Sequence, residues 1–209
     1  MSEIIIFMKF KIFNYYISLW EANMKKTFLS LLIGGLLMTA TYAKTAVCYF
    51  SCTGNTKTLA EKTAKVLNAD LFEIIPEVPY TSADLNWHDS KSRSSNESND
   101  IKSRPGIKTI QQVSGNNKVF DLSKYDTIII AFPIWWNSAP KIIWTFVEQN
   151  DLGGKNVIPI CTSGSSGITG AEKDLKACAS KLAVWKKGER FRAGESESEL
   201  KKYFENIIK

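Results

Sequence analysis

A single histidine, His88, is present in 209 residues. Histidine is the side chain that most readily moves protons near neutrality, so no general acid stands out, and His88 itself falls in an irregular stretch. Long runs of one charge are also missing. The 27 basic and 21 acidic residues are interspersed, giving a formal charge of +6. That scatter reads as solvated faces and argues against nucleic acid as a partner. Cysteines number four. The C-x3-C pair at Cys48 and Cys52 fits neither redox nor metal C-x2-C spacing, and no disulfide framework is visible, so free thiols are expected. The common phosphate-binding signatures are absent too. There is no G-x4-G-K-[ST] loop and no G-x-G-x2-G after the first strand. After Cys52 and five intervening residues stands Thr58, not the arginine a phosphatase-type loop needs.

What is there is ordinary globular composition, 44% hydrophobic and 23% charged, generous in Trp (six) and Phe (eleven). It suffices for one domain with a core. The first 43 residues stand apart. "MKKTFLSLLIGGLLMTATYA", residues 24–43, has a Lys25–Lys26 n-region, a short apolar stretch and small residues at Thr41 and Ala43. This is the pattern of a secretory signal peptide, with Met24 as the expected start and cleavage after Ala43. The apolar stretch is shorter than the roughly 20 residues a span requires, so no stable membrane span is expected after cleavage. The expectation is an exported, periplasmic chain of residues 44–209, or a cytoplasmic one if the leader is unused. No twin-Arg pair precedes the apolar stretch, so the chain would cross unfolded and meet any cofactor outside.

Residues 45–50, "TAVCYF", read as a strand. Residues 55–68 read as a helix, with Leu59, Ala60, Thr63, Val66 and Leu67 on one face, and 70–75 as a second strand. Residues 76–120 are an irregular excursion rich in Ser and Asn, with room for one short helix near 84–100; loops this long are usually lids or binding loops. "DTIIIAF", 126–132, reads as a strand buried on both faces. A helix over 140–149 starts on Pro140. A fourth strand covers 156–161 with Pro159 oddly inside it, a helix covers about 170–181, and a short fifth strand covers 182–187. A final helix, 196–208, opens on a Ser196/Glu199 capping box. Alternation of this kind gives an α/β doubly wound parallel sheet. Its ligands sit beyond the carboxyl ends of the strands, where loops 51–56, 133–139 and 162–167 all lie.

In the first loop, the hydroxyls of Ser51, Thr53 and Thr56 and the backbone N–H groups of residues 52–56 meet a helix N-terminus. Such a cradle holds a dianion without lysine or arginine, and Gly54 lets backbone approach closely. A capped helix start after a turn would look the same. In the second loop, Trp135 and Trp136 are adjacent where a loop should be exposed. One is expected to pack into the following helix and the other to cover something flat. The third loop, "TSGSSG", offers amides and small residues for a planar edge. A phosphate at one loop and a ring between the other two describes FMN.

"YFSCTGNTK", "FPIWWNSAP" and "CTSGSSG", in this order, resemble the flavodoxin-like family, in the branch with a Y-F-S-x-T-G-N-T-K phosphate loop and a P-I-W-W loop. "GERF" at 188–191, "RPGI" in the excursion and the acidic start of the final helix resemble that branch too, so the likeness spans nearly the whole chain after residue 43. The resemblance implies a five-stranded sheet of order 2-1-3-4-5 and FMN bound non-covalently. Ser51, Cys52, Thr53, Gly54, Asn55 and Thr56 would hold the phosphate. Pro133, Ile134, Trp135 and Trp136 would flank the ring on one side. Thr162, Ser163, Gly164, Ser165, Ser166 and Gly167 would line its other side and polar edge. Asn137 stands where related chains often carry glycine, and Asn tolerates φ > 0. The positive net charge departs from the acidic surface usual in soluble flavodoxin carriers. Three functions follow: an electron carrier serving a redox partner protein, a nicotinamide-dependent quinone or nitro reductase with a small-molecule electron acceptor, or a module that kept the fold and lost the flavin.

Overall fold

A computed structural model describes residues 18–20, 44–113 and 120–208. The signal peptide expected at 24–43 lies outside the described residues. The chain divides into two units, Met1–Tyr42 and Ala43–Lys209, and the second contains every element below. Among the described residues, no helix is long and apolar enough to cross a membrane.

β1 (Thr45–Tyr49), α1 (Asn55–Leu67) and β2 (Asp70–Pro76) form the first βαβ unit, with β1 and β2 parallel. The helix ends where Asn68 adopts φ 48° and the Ala69 N–H turns back to the Ala64 carbonyl at 2.9 Å, a left-handed cap that Asn accepts at little cost. β4 (Thr127–Pro133) and β5 (Asn156–Thr162) continue the sheet in parallel, joined by α3 (Lys141–Gln149). After α4 (Thr169–Cys178) come β6 (Val184–Trp185), β7 (Glu189–Phe191) and α5 (Glu197–Ile207). The Ser196 hydroxyl accepts from the Glu199 N–H as expected, while Glu195, not Glu199, accepts from the Ser196 N–H.

Period-two alternation sorts the strand side chains into two cores. Val47, Tyr49, Ile129, Ala131, Ile158 and Ile160 pack under α1 and α5 with Leu59, Ala60, Leu200 and Phe204. Ala46, Cys48, Ile128, Ile130, Phe132 and Cys161 pack on the other face with Ile142, Phe146 and Leu175. β4 is therefore buried on both faces, as its unbroken apolar run requires.

The expected order 2-1-3-4-5 is present as β2-β1-β4-β5-β6, but the sheet has seven strands among the described residues rather than five. The excursion supplies α2 (Arg93–Asn99) and β3 (Ile107–Gln112), the latter antiparallel to β2. The outer strand on the opposite side is split. β6 pairs with Asn156 and Val157, and β7 pairs with Ile160, Cys161 and Thr162. Pro159 sits at the break, having no N–H to offer a ladder. A Cβ at Gly188 would lie 2.6 Å from the Pro159 carbonyl oxygen, so only glycine lets the chain pass there.

Candidate functional site

The three loops meet in one cleft of about 440 Å³ at the carboxyl ends of β1, β4 and β5. Its wall includes Ser51, Cys52, Thr53, Asn55 and Thr56 from the first loop, Pro133, Ile134 and Trp135 from the second, and Thr162, Ser163 and Gly164 from the third. Two bonds lock the loops together: Thr56 Oγ1 to Thr162 Oγ1 at 2.7 Å, and the Ile134 N–H to the Thr162 carbonyl at 2.9 Å. Ser165, Ser166 and Gly167 lie further along the third loop and are not part of the wall. Trp136 is also outside it and borders two adjoining cavities instead.

Gly54 is the N-cap of α1 at φ 88°. With no side chain there, and no acid in the first turn, the helix N-terminus is left without a side-chain cap. The Ser51 hydroxyl accepts from the Gly54 N–H at 3.1 Å and keeps its own proton to donate. The loop is therefore turned by Ser51, as a plain helix start would be, yet the positive end of α1 opens on the cleft. A Cβ at Gly54 or Gly164 would meet nothing within 4 Å. At Gly164, where φ is ordinary, the protein's own packing does not demand a glycine, and the space is left to something else.

The second loop is a tight hairpin. Trp135 and Ser138 exchange both backbone hydrogen bonds, at 3.0 and 2.9 Å, around Trp136 and Asn137 at φ 47° and 60°. Two positive φ angles in a two-residue loop mark a type I′ turn. Asn137 thus takes the left-handed conformation it tolerates; Trp136 takes it at a cost, of the kind that gathers at functional sites. Gly170, in the first turn of α4, faces the Asn137 carbonyl so closely that no Cβ fits. The Ser138 hydroxyl donates to Asp174 at 2.6 Å, a second tie to α4.

Trp135 is half-buried and packs edge-to-face on Phe50 and Tyr80, with centroids 5.8 and 5.3 Å apart. It belongs to the core as well as to the cleft, packed against the cluster that includes Ile142, Ile143 and Phe146 of α3. Tyr80 comes from the excursion. Its hydroxyl donates to Glu97 at 2.6 Å, and Arg93 lies 3.9 Å over its ring while bonding Glu97 at 2.7 Å. α2 is thereby clasped over the cleft's edge. Leu85 from the same excursion lines the cleft. His88 does not; its ring lies against that of Trp87, tilted by 34° with centroids 3.4 Å apart.

Sequence reasoning missed Phe191, Arg192 and Ala193, which complete the wall beyond β7. "GERF" marked this segment without revealing that the residue after it reaches the cleft. Among the described residues, Arg192 is the one charged side chain in the wall. The Lys62 ammonium donates to the Glu195 carbonyl at 2.9 Å, and the Glu195 N–H donates to the Arg192 carbonyl at 3.1 Å. That clamp holds the turn after β7 against α1. Lys57, by contrast, leans along the helix to Glu61 at 4.0 Å.

All four cysteines are free. Burial pushes the Cys52 thiol up to about 12, against a smaller downward pull from Arg93. A thiol of that pKa is neither a nucleophile nor an anion that would repel a phosphate.

The flavodoxin family model matches residues 44–207. The chain is a member of the flavodoxin family. A crystal structure of a candidate flavoprotein from Bacteroides eggerthii is 40% identical, covering 80% of this chain and 99% of its own, with a TM-score of 0.72. Another from Bacteroides uniformis is 45% identical over 78% of this chain and 98% of its own, TM-score 0.70. A flavoprotein of Lactobacillus acidophilus, solved in complex with FMN, is 23% identical over 78% and 99%, TM-score 0.57; at that identity the likeness is one of fold. A search of curated proteins gave no match.

Proposed function

We propose that this flavodoxin-family chain binds FMN non-covalently and passes electrons through it. The reading rests on one observation above the others. The uncapped N-terminus of α1, a set of hydroxyls and the indole of Trp135 share a single cleft that, among the described residues, holds no carboxylate. A dianionic phosphate would be met by the α1 dipole, the N–H groups of residues 52–56, the hydroxyls of Ser51, Thr53 and Thr56, and the guanidinium of Arg192. A flat ring would lie between the 133–136 loop and Thr162–Gly164, with Trp135 held on edge by Phe50 and Tyr80. The bound flavin supplies the one- and two-electron chemistry. The chain supplies the binding, the dry apolar wall and the fixed dipoles. The FMN complex of the Lactobacillus acidophilus protein, a fold relative, supports the choice of ligand.

Two readings of the partner compete. The positive charge disfavours partners that recognise acidic carriers. The aromatic cavity beside the cleft, where Leu85 and Trp87 meet Trp136, favours a small-molecule acceptor and a nicotinamide-driven reductase. The signal-peptide pattern of residues 24–43 makes the periplasm the proposed location.

The test is an absorbance spectrum of the purified chain from Lys44 onward, mixed with FMN and freed of excess. A yellow protein with a flavin band supports the reading. A colourless protein that ignores FMN leaves a fold without its cofactor. Oxidation of NAD(P)H by quinones, measured on the yellow protein, separates reductase from carrier.

A further inference from the structure

Beside the cleft, the type I′ turn at 135–138 borders further space. Two cavities adjoin there, of about 310 and 200 Å³, and they share Ser94, Trp135 and Trp136. The larger is apolar and aromatic, walled further by Leu85, Trp87 and Ile134. Trp87 and Trp136 are 68% and 42% exposed, an expensive use of indole unless something flat covers them. The smaller cavity is polar and contains Glu97, Lys141, Trp144 and Asp174.

Lys141 is the unusual member. It is the first residue of α3 and only 5% exposed. Its ammonium lies 3.5 Å from the centroid of the Trp144 ring. Among the described residues it makes no hydrogen bond or ion pair. The charged groups around it are already engaged. Asp174 accepts from Ser138, Glu97 from Tyr80 and Arg93, and Asp100 from the Lys102 N–H. Arg104, whose guanidinium lies 5.0 Å from the centroid of the same Trp144 ring, is held by Glu148 through two bonds of 2.6 and 2.7 Å. α3 has no side-chain cap and no acid in its first turn, so its dipole adds a positive field at the same place. A buried ammonium with its donors unspent is costly. Burial and the Arg104 charge accordingly pull the Lys141 pKa down. An incoming carboxylate would use the donors and reverse that cost.

We propose that the two cavities form one binding site for an aromatic carboxylic acid, its ring covered by Trp87 and Trp136 and its carboxylate on the Lys141 ammonium. An apolar wall beside one unspent ammonium, with the neighbouring Glu97 and Asp174 carboxylates already held by Tyr80, Arg93 and Ser138, selects a flat amphiphilic anion over a neutral ring or a small inorganic ion. The apolar cavity shares Leu85, Ile134 and Trp135 with the cleft, so the ring lies beside the proposed flavin site. The inference rests on the FMN reading for its redox meaning but not for binding.

The probe is 2-naphthoate, with 2-naphthamide as its neutral counterpart, titrated by calorimetry against the FMN-loaded chain and against the chain without FMN. The acid is expected to bind at least about tenfold more tightly than the amide, the equivalent of one charge-assisted hydrogen bond. Lys141→Met removes that preference and leaves FMN affinity unchanged. Lys141→Arg keeps most of it. Trp87→Ala weakens acid and amide alike. Equal affinity for acid and amide in the unaltered protein, or no binding of either at millimolar concentration, overturns the proposal without any variant having to fold. If naphthoate binds as expected and FMN does not, the cofactor reading falls while this site stands; the opposite result separates them the other way.

Discussion

At the scale of the residue, the cleft divides its labour unevenly, and single substitutions should report the division. Thr53 is exposed and lines the cleft. Thr53→Ala is expected to weaken FMN binding by about 1–3 kcal/mol, the loss of a hydrogen bond to a charged group, with little change in thermal stability; fluorescence titration checks it. The tryptophans should behave differently. Trp135 is wedged between Phe50 and Tyr80, so Trp135→Ala should lower folding stability by about 2–3 kcal/mol as well as FMN affinity. Trp136 is 42% exposed and off the cleft wall, so Trp136→Ala should stay within about 1 kcal/mol in urea unfolding. Equal effects at both positions would contradict the geometry. Arg192 offers a sharper test because riboflavin lacks the phosphate. Arg192→Gln should weaken FMN about three- to tenfold and flatten its salt dependence, as for an exposed charge pair, while riboflavin affinity stays put.

At the scale of the element, legibility followed the kind of force that holds each piece. β1, β4 and β5 are apolar runs buried on both sides, and hydrophobic patterning exposes such strands directly. α2 was readable only as room for a short helix, because "RSSNESN" carries no apolar stripe. It is held by the Ser92 cap and by Tyr80, Glu97 and Arg93, polar contacts that composition does not reveal. β3, "IKTIQQ", hid in a Ser/Asn-rich stretch, since an edge strand exposed along one side has little hydrophobic signal. That the loops at 51–56, 133–139 and 162–167 converge was legible from the alternation of strands and helices, and they do line one cleft. The part played by Phe191–Ala193 was not, because it depends on the outer strand breaking at Pro159 and resuming as β7. The tryptophan turn also depends on an element far away in sequence. Gly170 in α4 leaves no room for a Cβ against the Asn137 carbonyl. Gly170→Ala must push the turn or the helix, at a cost of about 1–3 kcal/mol typical of overpacking. Differential scanning calorimetry should show the lower Tm. FMN affinity should fall with it, although Gly170 does not line the cleft.

At the scale of the whole molecule, burial of titratable groups ties stability to pH. Burial raises the thiols of Cys52 and Cys161 to about 12 and that of Cys178 to about 11, from an ordinary value of 9.0. Tyr49, Tyr80, Tyr125 and Tyr203 are raised as well, each first by burial. These groups are neutral when protonated. Below pH 9 folded and unfolded chains both hold the thiol protons, and stability is unaffected. Above it the unfolded chain releases protons that the folded chain keeps, so stability falls as pH climbs toward the folded values. The slope approaches about 1.4 kcal/mol per pH unit for each fully buried thiol. Urea midpoints should therefore be flat from pH 7 to 8.5 and decline steeply above about 9.5, with the tyrosines steepening the decline above 10. Cys161 is completely buried at the end of β5. Cys161→Ala should start from a lower stability, having lost core volume, yet show a shallower alkaline slope. A variant with the unchanged slope would mean that this thiol ionises as easily in the folded chain as in the unfolded one, which its place between the sheet and α4 does not permit.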